Sequence, residues 1–157
     1  MQRLLWSTAS VLLLGLVVML HIAYQRDTPL AVRNFYASLR VRQSLSVFPG
    51  SSLRTLTNGT IQHGTQIFSP QLSRTPTTYY AEDSGVGLAL RFCCQARARA
   101  LGVVGLGVGT IAAYGKAGDR IQFYEINPAV APIAEHLFTY MRDSGAQITI
   151  SLYFVPA

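Results

Sequence analysis

The first apolar run of the chain, Leu4 to Leu20, is broken by polar side chains only at Ser7, Thr8 and Ser10. A helix can satisfy those hydroxyls on its own carbonyls, and His21-Ile22-Ala23-Tyr24 extends the run to the roughly 20 residues that cross a bilayer. Trp6 and Tyr24 stand near its ends, where aromatic side chains favour the membrane interface. Beyond Pro29 the pattern shortens to period two. Leu39 and Val41 alternate with Arg40 and Arg42, as on a half-exposed strand. Leu53-Arg54-Thr55-Leu56 runs into Asn58-Gly59, a hairpin signal because both turn positions tolerate positive φ, and Ile61 to Ile67 then reads as the return strand. Residues 33–68 are therefore expected to be a small antiparallel β unit. Ser69-Pro70 and Thr75-Pro76 mark a loop before Thr77-Thr78-Tyr79-Tyr80. Ser84 to Phe92 carries Val86, Leu88, Ala89, Leu90 and Phe92 along one side, which predicts a helix in spite of Gly85 and Gly87.

The last third alternates strand and helix signals. Leu101-Gly102-Val103-Val104 is a short apolar run of the kind found in buried parallel strands. Gly105-Leu106-Gly107-Val108-Gly109 follows directly; such glycines permit a tight turn and let backbone approach a ligand with no Cβ in the way. Residues 110–115 should open a crossover helix with its N–H groups toward the ligand. A second strand, Ile121 to Tyr124, ends in Glu125, 20 residues beyond Gly105, the spacing expected of a carboxylate that accepts from ribose hydroxyls. Asn127-Pro128 predicts an N-cap followed by proline at the first helical position. Val130, Ile133, Ala134, Leu137, Phe138 and Met141 give that helix one apolar face, Gly145 ends it, and Gln147 to Leu152 is a third strand. The expected class is α/β, with a nucleoside-binding, Rossmann-type βαβ unit from about Ala98 onward. The G-x-G-x-G spacing is tighter than the G-x-G-x-x-G of dinucleotide folds and favours a nucleoside without a pyrophosphate, such as an S-adenosyl compound, over NAD.

Charge divides the chain in the same way. Residues 1–100 carry ten arginines against Asp27, Glu82 and Asp83, whereas the remainder carries Lys116, Arg120 and Arg142 against four acids. The arginines are scattered singly among apolar residues, which argues against a nucleic-acid partner. Arg26, Arg33, Arg40 and Arg42 downstream of the apolar run outweigh Arg3 upstream, so the C-terminal part is expected in the cytoplasm. A cleaved signal peptide is the competing reading; the length of the run and the lack of a small-x-small cleavage site favour a retained helix. Cys93 and Cys94 are adjacent, which rarely suits a disulfide, and are expected to be small buried side chains in a reducing compartment. His21, His63 and His136 lack ligand spacing, so no metal is expected. The expected organisation is a transmembrane helix at 1–24, a β-hairpin domain at 25–80, and at 81–157 the first half of a Rossmann-like, S-adenosyl-methyltransferase-type domain.

Four stretches resemble the spermidine synthase family, the polyamine aminopropyltransferases, especially its membrane-associated relatives: Phe35-Tyr36-Ala37-Ser38-Leu39; Asn58-Gly59-Thr60-Ile61-Gln62-His63-Gly64; Tyr79-Tyr80; and Val104 to Gly109 with Tyr124-Glu125-Ile126-Asn127-Pro128. The similarity spans about residues 33–150. It implies decarboxylated S-adenosylmethionine as donor and a diamine such as putrescine as acceptor. It further implies that Gln62 lies beside the substrates, that Tyr79 and Tyr80 wall the polyamine pocket, that Gly105, Gly107 and Gly109 form the donor loop, and that Glu125 holds the ribose.

The departures from the family are equally specific. Val108 stands where the family has an Asp that holds the donor's amine, and Asn58 replaces another Asp. Ser151-Leu152-Tyr153-Phe154-Val155 stands where a Gly-Asp context is expected, and the family's Asp after a fourth strand has no counterpart here. A protonated amine is not a nucleophile, so without a base the expectation is binding without turnover. A methyltransferase-like protein and a non-catalytic, membrane-anchored nucleoside-binding protein stand beside this as alternatives. Three strands with about two helices would leave one sheet face and the edge at Ile148 to Val155 uncovered, a place for chain pairing that leaves a homodimer open.

Overall fold

A computed structural model describes residues 2–93 and 97–153. It is a mixed α/β structure with an N-terminal apolar helix, a four-stranded antiparallel sheet and a three-stranded parallel sheet. Helix α1, Gln2–Arg26, is followed by strands β1 (Leu30–Arg33), β2 (Ser38–Leu45), β3 (Ser52–Asn58) and β4 (Ile61–Phe68), ordered β1-β2-β3-β4. Helix α2 (Gly85–Phe92) leads to β5 (Ala100–Val104), β6 (Arg120–Glu125), helix α3 (Val130–Leu137) and β7 (Gln147–Leu152), with sheet order β5-β6-β7.

Helix α1 stands clear of the body. Its stretch Leu5–Arg26 is long and apolar enough to span a membrane: its 22 residues rise about 33 Å, against a hydrocarbon core of about 30 Å. The Ser7 and Thr8 hydroxyls donate to the carbonyls of Arg3 and Leu5, both at 2.9 Å, so neither is left unpaired in an apolar surround.

One continuous core joins the two sheets. Leu39, Val41 and Leu56 from the first sheet meet Leu106, Val108, Ile111, Ile121, Phe123, Ile133, Phe138 and Tyr140 from the second half. The alternation in β2 has the expected consequence: Leu39 and Val41 point into this core while Arg42 is exposed. In the parallel sheet Ile121 and Phe123 are fully buried on one face. On the other face Gly102, Val104 and Thr149 are exposed and Gln122, Tyr124 and Ser151 are half-buried.

Several elements differ from expectation, each for a physical reason. The hairpin between β3 and β4 turns on Gly59-Thr60, since Asn58 pairs with Ile61 and, of the two, only Gly59 has a positive φ, +57°. Asn58 stays in β3, its Oδ1 accepting from the Ser38 N–H at 3.0 Å. The segment after the glycine loop is a 3-10 turn, Thr110–Tyr114, and not an α-helix. Only five residues separate Gly109 from Gly115, and a Cβ on Gly115 would lie 2.4 Å from Ser144 Oγ, so the chain turns there against the approach to β7. Helix α3 begins at Val130 because the Asn127 side chain accepts from the Ala129 N–H at 3.0 Å in a turn of its own. It ends at Leu137, short of Met141. Buried Gln66 takes the Thr139 N–H (2.8 Å) and Arg54 donates to the Leu137 carbonyl (2.6 Å), so partners on the first sheet pull the chain out of the helix. Cys93 is exposed, not buried: it adopts extended dihedrals at the C-cap of α2 and leaves the face that packs inward. Cys94 lies outside the described residues, as do Phe154 and Val155 at the end of the predicted edge strand.

At the far end of the parallel sheet Arg99 and Asp119, both under a tenth exposed, form a buried ion pair. Asp119 also accepts from the backbone N–H groups of Arg99 (2.8 Å) and Lys116 (2.9 Å), and Arg99 donates to the Leu90 and Tyr114 carbonyls. Hydrogen bonding to Arg99 outweighs burial and holds the Asp119 carboxyl well below the usual carboxylate range. The network ties the end of α2 and both strand starts together, away from the glycine loop.

Candidate functional site

The parallel strands β5 and β6 deliver two loops to one place. The Gly105 N–H donates to the Tyr124 carbonyl (2.8 Å), which holds the start of the glycine loop against the end of β6. Gly105, Gly107 and Gly109 all have positive φ, +85°, +56° and +77°. That is a backbone few other residues adopt without strain, so the loop's shape depends on glycine.

Glu125, at the end of β6, is buried and bridges the two loops. The Leu106 N–H donates to its Oε2 (2.8 Å) and the Asn127 N–H to its Oε1 (2.9 Å). A carboxylate has about four lone-pair sites. Two are used here, which leaves acceptor capacity on both oxygens.

That capacity faces a cavity of about 280 Å³ between the sheets, lined among others by Tyr36, Asn58, His63, Gly105, Gly107 and Glu125. Beside it, and sharing Gly105, Glu125 and Ile126, runs an apolar groove of about 610 Å³ with Val104, Tyr124 and Tyr153 on its walls. Small-ligand sites occupy about 300–1,000 Å³, so cavity and groove together are of that size.

The antiparallel sheet closes the cavity through a β-bulge. Leu56 pairs with Gly64 and Thr57 with Gln62, leaving His63 as the extra residue on β4. The bulge brings His63 to the cavity and its carbonyl to the loop, where a Cβ on Gly107 would lie 2.7 Å from the His63 oxygen. The neighbouring contact is tighter. Gly64, at φ +147°, faces Val108, whose Cγ2 would lie 2.4 Å from a Cβ at that position. Asn34 completes the frame by donating to Asn127 Oδ1 (2.6 Å) while its own oxygen takes the Tyr36 and Ala37 N–H groups, 3.0 Å each.

Of the residues singled out in the sequence, Gly105, Gly107 and Glu125 come together in this cavity. Gly109 lies behind it, packed on Met141, where a Cβ would sit 2.9 Å from the methionine Cγ. Gln62 does not line it. The bulge turns Gln62 to the face opposite Leu56, where it donates to the Thr65 hydroxyl. Tyr79 and Tyr80 lie elsewhere, on a 3-10 turn at Thr78–Tyr80 with their ring centroids 4.6 Å apart, and the Tyr80 carbonyl accepts from Tyr114. Val108 is 1% exposed and buried against the sheet. No residue of the 3-10 turn after the loop lines the cavity; the helix start that reaches it is that of α3, through Val130. Tyr36, His63 and Asn127 were not expected in the site. All three belong to stretches whose order carried the family resemblance, but only the bulge and the Asn34–Asn127 pairing place them. No protein-family model matches the chain, and no curated protein matches it.

Proposed function

We propose that the chain is a membrane-anchored, spermidine-synthase-like protein whose Rossmann-like half binds the nucleoside of an S-adenosyl compound. Its main support is the placement of Glu125. Backbone N–H groups from two loops fix the carboxylate, and its unused lone pairs meet a cavity floored by left-handed glycines. Ribose hydroxyls donate to Glu125, and the base lies along Ile126, 49% exposed, in the apolar groove. An extended pyrophosphate would need N–H donors beyond Gly107, where the chain instead turns inward at Val108 to pack on the sheet.

The cavity chemistry favours binding over aminopropyl transfer. Among the described residues, Glu125 is the one carboxylate lining the cavity. Val108, at the family's acidic position, offers the donor's amine no countercharge. Helix α1 spans the bilayer, and the excess of arginine after it puts the two sheets on the cytoplasmic side.

The test is calorimetric titration of the full chain in nonionic detergent with S-adenosylhomocysteine, decarboxylated S-adenosylmethionine and NAD. Both S-adenosyl compounds are expected to bind and NAD not to. Tighter binding of NAD would overturn the assignment, and spermidine formed from decarboxylated S-adenosylmethionine and putrescine would overturn binding without transfer.

A further inference from the structure

The end of α1 is fixed to one particular face of the antiparallel sheet. Leu39 and Val41 of β2 face the core, so Arg40 and Arg42 face outward. Arg40 reaches from that outward face to the end of the helix. Its guanidinium lies 3.5 Å from the centroid of the Tyr24 ring, and it donates to the Tyr24 carbonyl at 2.7 Å and the Thr28 hydroxyl at 2.6 Å. The Gln43 N–H donates to the Asp27 carbonyl at 2.8 Å, a second tie at the same level.

This face is cationic. It carries Arg33, Arg40 and Arg42, and β1 and β2 contain no Asp or Glu. Arg26, Arg33 and Arg42 are exposed and form no ion pair among the described residues. Two residues past Gln43, the β2–β3 hairpin carries an apolar tip, with Leu45 and Val47 each 92% and Phe48 46% exposed. Two apolar loop side chains in water, Val47 and Phe48, on a strand pair that carries Arg33, Arg40 and Arg42 and that Arg40 ties to the end of an apolar 22-residue span, make the composition of an interfacial anchor.

We propose that the outward face of β1 and β2 lies on the anionic headgroups of the bilayer that α1 crosses. Arg26, Arg33 and Arg42 meet lipid phosphates, and Val47 and Phe48 of the hairpin loop enter the headgroup–acyl boundary. This rests on α1 spanning the membrane, and it goes further by giving the soluble body a fixed pose on the surface. The cytoplasmic leaflet, where the positive-inside tendency puts this face, is the anionic one.

The test uses the full chain with Trp6→Phe and Phe48→Trp, which leaves one tryptophan at the hairpin tip, in nanodiscs with or without phosphatidylserine. With phosphatidylserine, the indole emission should shift to the blue and be quenched by lipids brominated near the headgroup. Arg33→Gln and Arg42→Gln should each lower the docked-to-undocked ratio about fivefold. All these positions are exposed, so the variants keep the fold. Water-like, unquenched emission in a chain that still resists carbonate extraction would overturn the docking alone. Release of the chain by carbonate would overturn the span and the docking together. A blue shift that follows protein concentration rather than lipid charge would assign the patch to a second copy and also overturn the proposal.

Discussion

Substituting Gly64 by alanine tests how the glycine loop is held against the first sheet. The added Cβ would sit 2.4 Å from Val108 Cγ2 and 3.1 Å from Cγ1, on a backbone at φ +147°. Overpacking a filled site costs about 1–3 kcal/mol, and holding a non-glycine residue in that region of φ costs a further amount of about 1–3 kcal/mol. Gly64→Ala should therefore destabilise the chain by at least about 2 kcal/mol. Val108→Ala removes two buried methyls and should cost about 1–3 kcal/mol by itself. In the double variant the new methyl occupies the space the valine vacates. The steric cost is then relieved while the backbone cost stays, and the two changes should fall short of additivity by about 1–2 kcal/mol, within the range seen for residues in contact. Urea unfolding of the four proteins in nonionic detergent, followed by near-ultraviolet circular dichroism, gives the cycle. Additive effects would show that Gly64 and Val108 do not touch. The site between loop and sheet would then need a different description.

Two further outcomes follow from buried polar groups. Asp119→Asn should cost about 3–5 kcal/mol at neutral pH, because it leaves Arg99 buried without its countercharge. The Asp119 pKa is depressed in the folded chain, so its contribution is complete above the unfolded value of about 3.9 and is lost as pH falls through the folded one. The gap between parent and variant should thus narrow in urea melts below about pH 4, and a gap that widens on acidification would contradict the ion pair. Thr110 is 2% exposed and its hydroxyl has no hydrogen-bond partner, so Thr110→Val should raise stability by about 1 kcal/mol; a loss of similar size would show that the hydroxyl is bound.

What could be read from the sequence was whatever a local pattern controls. The long apolar run of α1, the alternation of Leu39 and Val41 with Arg40 and Arg42, and the strand–glycine–strand order that brings Gly105 to Glu125 all depend on neighbours within a few positions. What escaped depends on distant partners. The end of α3 is set by Gln66 and Arg54, 73 and 83 residues earlier in the chain than their partners, and overrides an apolar face that continues to Met141. The β-bulge at His63 reverses the expected direction of Gln62, because one extra residue exchanges the two faces of a strand. The crossover after Gly109 fails as a helix because Gly115 must approach Ser144, again a contact with no local signature. The tyrosine pair was placed by resemblance alone, and no spacing rule connects residues 79–80 to a loop at 105.

The claim that Glu125 receives ribose hydroxyls is tested most directly by changing the ligand, since any substitution of Glu125 also frees the Leu106 and Asn127 N–H groups it holds. Adenosine and 2′,3′-dideoxyadenosine share the base and differ in the two hydroxyls. Each hydrogen bond to a charged acceptor contributes about 1.5–3 kcal/mol, so calorimetric titration of the unaltered chain should show adenosine binding at least about tenfold more tightly. Equal affinity for the two nucleosides would contradict a ribose site at Glu125, and the carboxylate would then serve only to fasten the two loops together.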